Sequence, residues 1–169
     1  MKKDKTFRIV QAALFAALVF VGTFVIKIPT PGTGGYVHPG DAFVILSGIF
    51  LGPLYGALAA GIGSALADLI GGYLVYVPVT FVIKALIGLF SGLIFAKWGK
   101  ALSNNYLKVV LCGIADIVLV AGGYLVFELF IYGTAAVASV PANIIQGVAG
   151  LIISLILYPV VSKIKEMTA

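Results

Sequence analysis

Charge is scarce in this sequence: Asp, Glu, Lys and Arg make up 10% of its 169 residues, against about 25% in soluble domains. Cysteine and histidine occur once each. That excludes an intramolecular disulfide and a multi-cysteine metal site and argues against a zinc enzyme; Cys112, inside an apolar segment, reads as a small packing residue. There is no G-x-x-x-x-G-K-[ST] phosphate loop, so the chain cannot itself use ATP in the usual way. The run Gly32-Thr33-Gly34-Gly35 is glycine-rich but lacks the strand-to-helix context of a nucleotide site. No Ser-His-Asp or Cys-His constellation is evident, which points to binding rather than catalysis. Nothing in the pattern calls for a metal or a cofactor.

Apolar residues fill the space that charge leaves. They make up 62% of the chain, and the mean hydropathy is +1.17. A membrane-spanning helix needs about 20 mostly apolar residues. Gly, Pro and polar clusters divide the sequence into expected spans Phe7–Ile26, Asp41–Leu51, Pro53–Gly72, Pro78–Ala96, Val109–Ile131 and Pro141–Ser162. The expectation is an all-α integral membrane protein of six transmembrane helices, forming one unit over residues 1–169. The first run is too long for a signal-peptide core and no convincing cleavage site follows it. The second span is short for a bilayer about 30 Å thick, so it must be tilted, extended by loop residues or covered by neighbours.

The basic residues test this order of spans. Lys2, Lys3, Lys5 and Arg8 precede the first span, Lys97, Lys100 and Lys108 lie between the fourth and fifth, and Lys163 and Lys165 follow the sixth. Six spans with both termini cytoplasmic place these nine on one side, leaving only Lys27 and Lys84 of the eleven elsewhere, as the retention of positive charge in cytoplasmic loops requires. Topology thus explains the net charge of +5 better than nucleic-acid binding does. The longest outer loop, Lys27–Gly40, is rich in glycine and proline, cannot be a regular helix, and reads as a lid.

Ionisable side chains within the membrane are costly and mark functional candidates. Asp41, Asp68, Lys84, Glu128, Asn143 and Gln146 all fall in the outer part of the spans, with Asn143 and Gln146 spaced to share a helix face. Each has a plainer alternative. Asp68 and Lys84, at similar depths on consecutive helices, are ligand contacts or a structural ion pair. Asp41 is a ligand contact or an N-cap, His38 a ligand contact or a loop histidine. Asp116, alone in the inner half, reads as a packing or partner residue. The outer tyrosines Tyr36, Tyr73, Tyr76, Tyr124 and Tyr132 outnumber a simple interfacial belt, and tyrosine suits a heteroaromatic ring that must be stacked and hydrogen-bonded.

In the first span, Ala12 with Ala16 and Ala13 with Ala17 form two small-x-x-x-small pairs, which let helices approach closely in lipid. These pairs, the lid ending His38-Pro-Gly-Asp-Ala-Phe, the stretch from Leu51-Gly-Pro-Leu-Tyr-Gly to Ala67-Asp-Leu, and Pro78-Val-Thr-Phe-Val-Ile-Lys-Ala-Leu-Ile-Gly together resemble the substrate-binding S component of an energy-coupling factor (ECF) transporter. The resemblance covers all six spans. It implies a multi-pass subunit of the bacterial cell membrane that binds a vitamin and works with a transmembrane coupling subunit and two ABC ATPases. It also implies that Ala12, Ala13, Ala16 and Ala17 face the coupling subunit and that the first outer loop closes a pocket walled by the later spans.

The expected ligand-binding residues are Tyr36, His38, Asp41, Asp68, Tyr73, Tyr76, Lys84, Tyr124, Glu128, Asn143 and Gln146. If all are ionised, Asp41, Asp68 and Glu128 outweigh Lys84, which disfavours a strongly anionic ligand such as folate. The subgroup resembled carries pyridoxine or hydroxymethylpyrimidine, with riboflavin next. A stand-alone secondary transporter and a non-transporting membrane scaffold are the alternatives from other classes.

Overall fold

The computed structural model describes residues 5–97 and 102–167; Lys2, Lys3 and Lys100 of the charge argument lie outside the described residues. The described chain is mainly helical: α1 Lys5–Phe24, α2 Asp41–Leu51, α3 Pro53–Gly71, α4 Val77–Ala96, α5 Asn105–Tyr132 and α6 Val140–Met167. A two-stranded hairpin, β1 Ile28–Pro29 with β2 Tyr36–Val37, sits between α1 and α2, and a 3-10 stretch, Gly133–Ser139, joins α5 to α6. Helical stretches Lys5–Phe24, Pro53–Gly71, Val77–Ala96 and Asn105–Met167 are long and apolar enough to cross a membrane. The 3-10 stretch divides the last of these into two helices of 28 residues each.

The expected boundaries hold to within a few residues except at the polar ends of α5 and α6. Helix α5 starts earlier than its apolar run because the Asn104 side chain accepts from the amides of Tyr106 and Leu107, at 2.9 and 3.4 Å, capping a turn that hydropathy alone leaves out. Helix α6 likewise runs on through Lys163 and Lys165 to Met167.

With 11 residues, α2 spans only about 16 Å. It is enclosed on nearly all sides, with eight of those residues buried, as expected of a helix that is apolar all round. Val44, Ile45, Leu46 and Ile49 from α2, with Ile83 and Ile87 from α4 and Val120 from α5, form the centre of the apolar core. The α2–α3 reversal turns on Gly52, whose φ of +82° favours glycine, and on Pro53, which starts α3. Glycines then bring α2, α3 and α4 into backbone contact. A Cβ on Gly56 would lie 2.5 Å from Gly48 Cα, and one on Gly88 would lie 2.7 Å from the Gly56 carbonyl oxygen. Gly56 and Gly88 are therefore spent on packing within the chain.

Helix α1 is peripheral, with only Val19 and Thr23 buried. Its contact with α3 is close at Gly63, where a Cβ would overlap the Ala16 carbonyl oxygen.

Candidate functional site

The segment expected to act as a lid is a hairpin held by two pairs of residues, Ile28 with Val37 and Pro29 with Tyr36, and closed by the Thr30 amide donating to the Gly35 carbonyl at 3.1 Å. Its return strand leads to His38, whose backbone amide donates to Gln146 Oε1 at 2.9 Å, tying the lid to α6. The Gly40 amide donates to His38 Nδ1 at 3.1 Å, so a neutral His38 carries its proton on Nε2. Burial holds the imidazole far below its usual range, down to about 3, against the opposing pull of Asp41.

Two carboxylates stand beneath the lid. Tyr36 donates its hydroxyl to Asp68 Oδ1 at 2.6 Å, and Tyr76 donates to Glu128 Oε1 at 2.9 Å. The second Glu128 oxygen accepts from Ser139 Oγ at 2.5 Å, and the Asn143 side-chain amide donates to Ser139 Oγ at 3.4 Å. Between the carboxylates, Thr80 Oγ1 and the Tyr124 hydroxyl are 2.9 Å apart. Apart from Ser139, which holds Glu128 from behind, these groups face one small cavity of about 20 Å³ lined by Gly35, Tyr36, His38, Asp68, Tyr76, Thr80, Tyr124, Glu128 and Asn143. That volume accommodates roughly one water molecule. It is small because lid residues fill it: a Cβ on Gly35 would come within 3.3 Å of both Glu128 Oε1 and the Tyr76 hydroxyl.

Seven of the eleven expected ligand residues therefore meet in one place: Tyr36, His38, Asp68, Tyr76, Tyr124, Glu128 and Asn143. Tyr73 stands behind them, its ring centroid 4.4 Å from that of Tyr36. The remaining three form a layer beside the cavity, joined to its wall where Lys84 Nζ stands 5.7 Å from the Tyr124 ring centroid and Gln146 accepts the His38 amide. Lys84 Nζ and Asp41 Oδ1 make a completely buried ion pair, and Gln146 Nε2 donates to Asp41 Oδ2 at 2.7 Å.

Of the two alternatives for Lys84 and Asp68, the structural ion pair between them is not formed; Lys84 pairs with Asp41 instead. Depth along a span does not fix the direction in which a side chain points. Asp41, at the start of α2, projects between α4 and α6, where Gly150 makes room for it: a Cβ on that glycine would lie 2.8 Å from Asp41 Cβ. Nor is Asp41 an N-cap; Gly40 holds that position with no side-chain cap bond.

Thr80, Ser139 and Gly35 were not among the expected site residues. Thr80 precedes Lys84 by one helical turn and so shares its face, a signal the sequence did carry. Ser139 enters through the 3-10 stretch and left no comparable trace. Asp116 is buried beside Gly147, and among the described residues neither of its carboxylate oxygens has a hydrogen-bond partner. The four alanines line an apolar groove between α1 and α3, together with Tyr55 and Leu58 among others. Ala13 and Ala17 are exposed, whereas Ala12 and Ala16 are half-buried toward α3.

Comparison with known proteins matches residues 3–163 to the family described as ECF-type riboflavin transporter, S component. The chain is 36% identical over 136 residues to an uncharacterized protein in the gap 3′ region of Pyrococcus woesei, covering 80% of this chain and 88% of that one. It is 28% identical over 153 residues to the thiamine precursor transporter HmpT of Lactococcus lactis subsp. cremoris, covering 89% and 85% respectively. Among solved structures, the S component for biotin from an ECF-type ABC transporter superposes with a TM-score of 0.75 at 16% identity, covering 98% of this chain and 94% of that one. The S component of a bacterial ECF transporter superposes with a TM-score of 0.67 at 22% identity, covering 95% and 98%. The family match and the shared fold identify the chain as a membrane protein of the ECF-type riboflavin transporter S-component family, the substrate-binding subunit of an ECF transporter.

Proposed function

We propose that this S component captures a small, neutral or weakly basic heteroaromatic of the hydroxymethylpyrimidine type in the cavity beneath the lid. The observation that carries the reading is the pair of carboxylates, Asp68 and Glu128, each held by a tyrosine hydroxyl at the wall of one cavity. An aminopyrimidine presents an exocyclic amine that donates and ring nitrogens that accept. A carboxylate can take the first, while Asn143 and the Nε2–H of His38 can serve the second. Tyr36 and Tyr124 offer aromatic faces for stacking.

Ligand size favours a single ring. Tyr36 from the hairpin and Tyr76 from the start of α4 now occupy acceptor positions on the carboxylates, so a ligand enters by lifting the hairpin and turning the Tyr76 hydroxyl aside, taking over those hydrogen bonds. A monocyclic pyrimidine or pyridine asks for a modest displacement of the hairpin, whereas a tricyclic flavin asks for a larger one; pyridoxine is therefore the next choice and riboflavin follows it. The relative named for a thiamine precursor supports the same order.

In this account the chain forms one unit of six spans in the bacterial cytoplasmic membrane, with both termini cytoplasmic, as the distribution of basic residues favours. Asp41, Lys84 and Gln146 brace the floor of the site, and Tyr73 backs the stacking ring. The α1 groove lined by Ala12, Ala13, Ala16 and Ala17 receives a transmembrane coupling subunit, and two ABC ATPases supply the energy for release inward. Purifying the protein from cells and identifying the co-purifying small molecule by mass spectrometry tests the reading. A pyrimidine or pyridine vitamin precursor is expected, and a flavin or no ligand from vitamin-replete cells would count against it.

A further inference from the structure

The Lys27 ammonium, just beyond the end of α1, faces three aromatic rings drawn from three separate segments. It lies 4.4 Å from the ring centroid of Phe24 at the end of α1, 4.8 Å from that of Tyr36 in the lid, and 5.0 Å from that of Tyr73 between α3 and α4. All three distances are within the roughly 6 Å over which a ring face attracts a cation. Several features hold this cage in shape. Tyr36 is anchored through its hydroxyl on Asp68, its ring meets that of Tyr73 at 4.4 Å, and the absence of a Cβ on Gly71 leaves the space that Lys27 Nζ fills. Among the described residues no carboxylate lies within ion-pair distance of Lys27; the aromatic faces are its close contacts, and Asp68, which anchors Tyr36, acts on it only from farther off.

Three aromatic faces converging on one point make a receptor for an organic cation. Here the chain fills that receptor with a cation of its own. The cage also adjoins the site, because Tyr36 is both a wall of the cage and a wall of the cavity under the lid. A ligand seated against Asp68 and carrying a fixed positive charge on a second ring would direct that charge toward the position Lys27 holds. The two cations would compete for the same faces and repel each other. A neutral single ring makes no such demand.

Building on the reading of the cavity as a heteroaromatic site, we propose that Lys27 is a specificity-determining residue: by occupying the Phe24–Tyr36–Tyr73 cage it rejects permanently cationic heteroaromatics and reserves the site for neutral rings. Substrate selection then rests on an internal competitor as well as on contacts to the preferred ligand.

Titration calorimetry with three probes tests this: hydroxymethylpyrimidine; thiamine, which joins the same aminopyrimidine to a thiazolium cation; and benzyltrimethylammonium, which carries only the cation. The wild-type protein should bind the first and discriminate against the other two. Lys27→Met should gain roughly ten-fold in affinity for both cations, with a smaller change for the neutral ring, and Lys27→Arg should keep the discrimination. Adding Tyr73→Leu to Lys27→Met should cancel the gain, with thermal unfolding confirming that each variant is folded. Equal changes for neutral and cationic probes would mean that Lys27 only latches the lid and would overturn the proposal, as would a gain that survives Tyr73→Leu. Failure of the wild type to bind either pyrimidine would instead overturn the substrate reading, and the benzyltrimethylammonium arm would still decide whether Lys27 blocks a cation cage.

Discussion

Lys84 on α4 is paired with Asp41 at the start of α2, and both side chains are fully buried. Asp68, which lies at a comparable depth on the neighbouring α3, instead accepts the Tyr36 hydroxyl from the lid. The one buried lysine among the described residues is thus committed to holding α2 against α4, and the carboxylate on α3 is left to the cavity. Because Gln146 joins the pair and also accepts the His38 amide, the same network ties the lid to the helices below it.

Breaking this pair from one side leaves a buried charge without a partner. Lys84→Met should destabilise the protein by about 3–5 kcal/mol, read as a fall in thermal unfolding temperature in detergent. Adding Asp41→Asn to Lys84→Met should recover a large part of that loss, whereas adding Asp68→Asn should not. Rescue by Asp68→Asn would restore the pairing that similar depth suggests and contradict the geometry described.

His38 gives the lid a pH dependence with a definite sign. Its folded-state pKa, lowered to about 3 by burial, lies below the ordinary value of about 6.5. Between these values the unfolded chain binds a proton that the folded one does not, so stability is complete above about pH 6.5 and declines as pH falls toward 3. Each unit in that interval costs up to about 1.4 kcal/mol. Thermal unfolding at pH 7 and pH 5 should show the loss in the wild type and a smaller one in His38→Gln.

Topology is open to labelling. In a Cys112→Ala background, a cysteine at exposed Thr134, in the 3-10 stretch, should react with an impermeant thiol reagent in intact cells. One at exposed Ser103, before α5, should be protected. The reverse pattern would invert the assignment of the lid to the outer face.

The α1 groove separates transport from binding. Ala13 and Ala17 are exposed in it, so Ala13→Leu and Ala17→Leu should abolish uptake while leaving ligand affinity within about two-fold, because added bulk blocks close helix approach. Ala16→Leu is the less informative change, since its backbone already abuts Gly63. Loss of binding in Ala13→Leu and Ala17→Leu would place this face in the core.

Much of this was legible in the sequence, for identifiable reasons. The helices announced themselves by apolar runs broken at Gly52-Pro53, at Gly72 and in the loop before Pro141. The residues facing the cavity were found because polar groups are rare in such segments, so Glu128 and Asn143 stood out. Partners were harder to find. The position of Lys84 along α4 was readable, but which carboxylate it meets depends on how α2 inserts between α4 and α6, a matter of tertiary packing. The same applies to Lys27, whose three aromatic partners come from segments with no shared sequence pattern, and to Ser139, whose role depends on the course of a short 3-10 stretch.

Everything proposed for the site turns on a small heteroaromatic binding between Asp68 and Glu128 beneath the hairpin. Its most direct test is titration calorimetry of hydroxymethylpyrimidine against the ligand-free protein and its Glu128→Gln variant. Saturable one-to-one binding to the wild type is expected, weakened at least about ten-fold in the variant by loss of a charged hydrogen-bond acceptor. Equal affinity in both proteins, or no binding to the folded wild type, would contradict it.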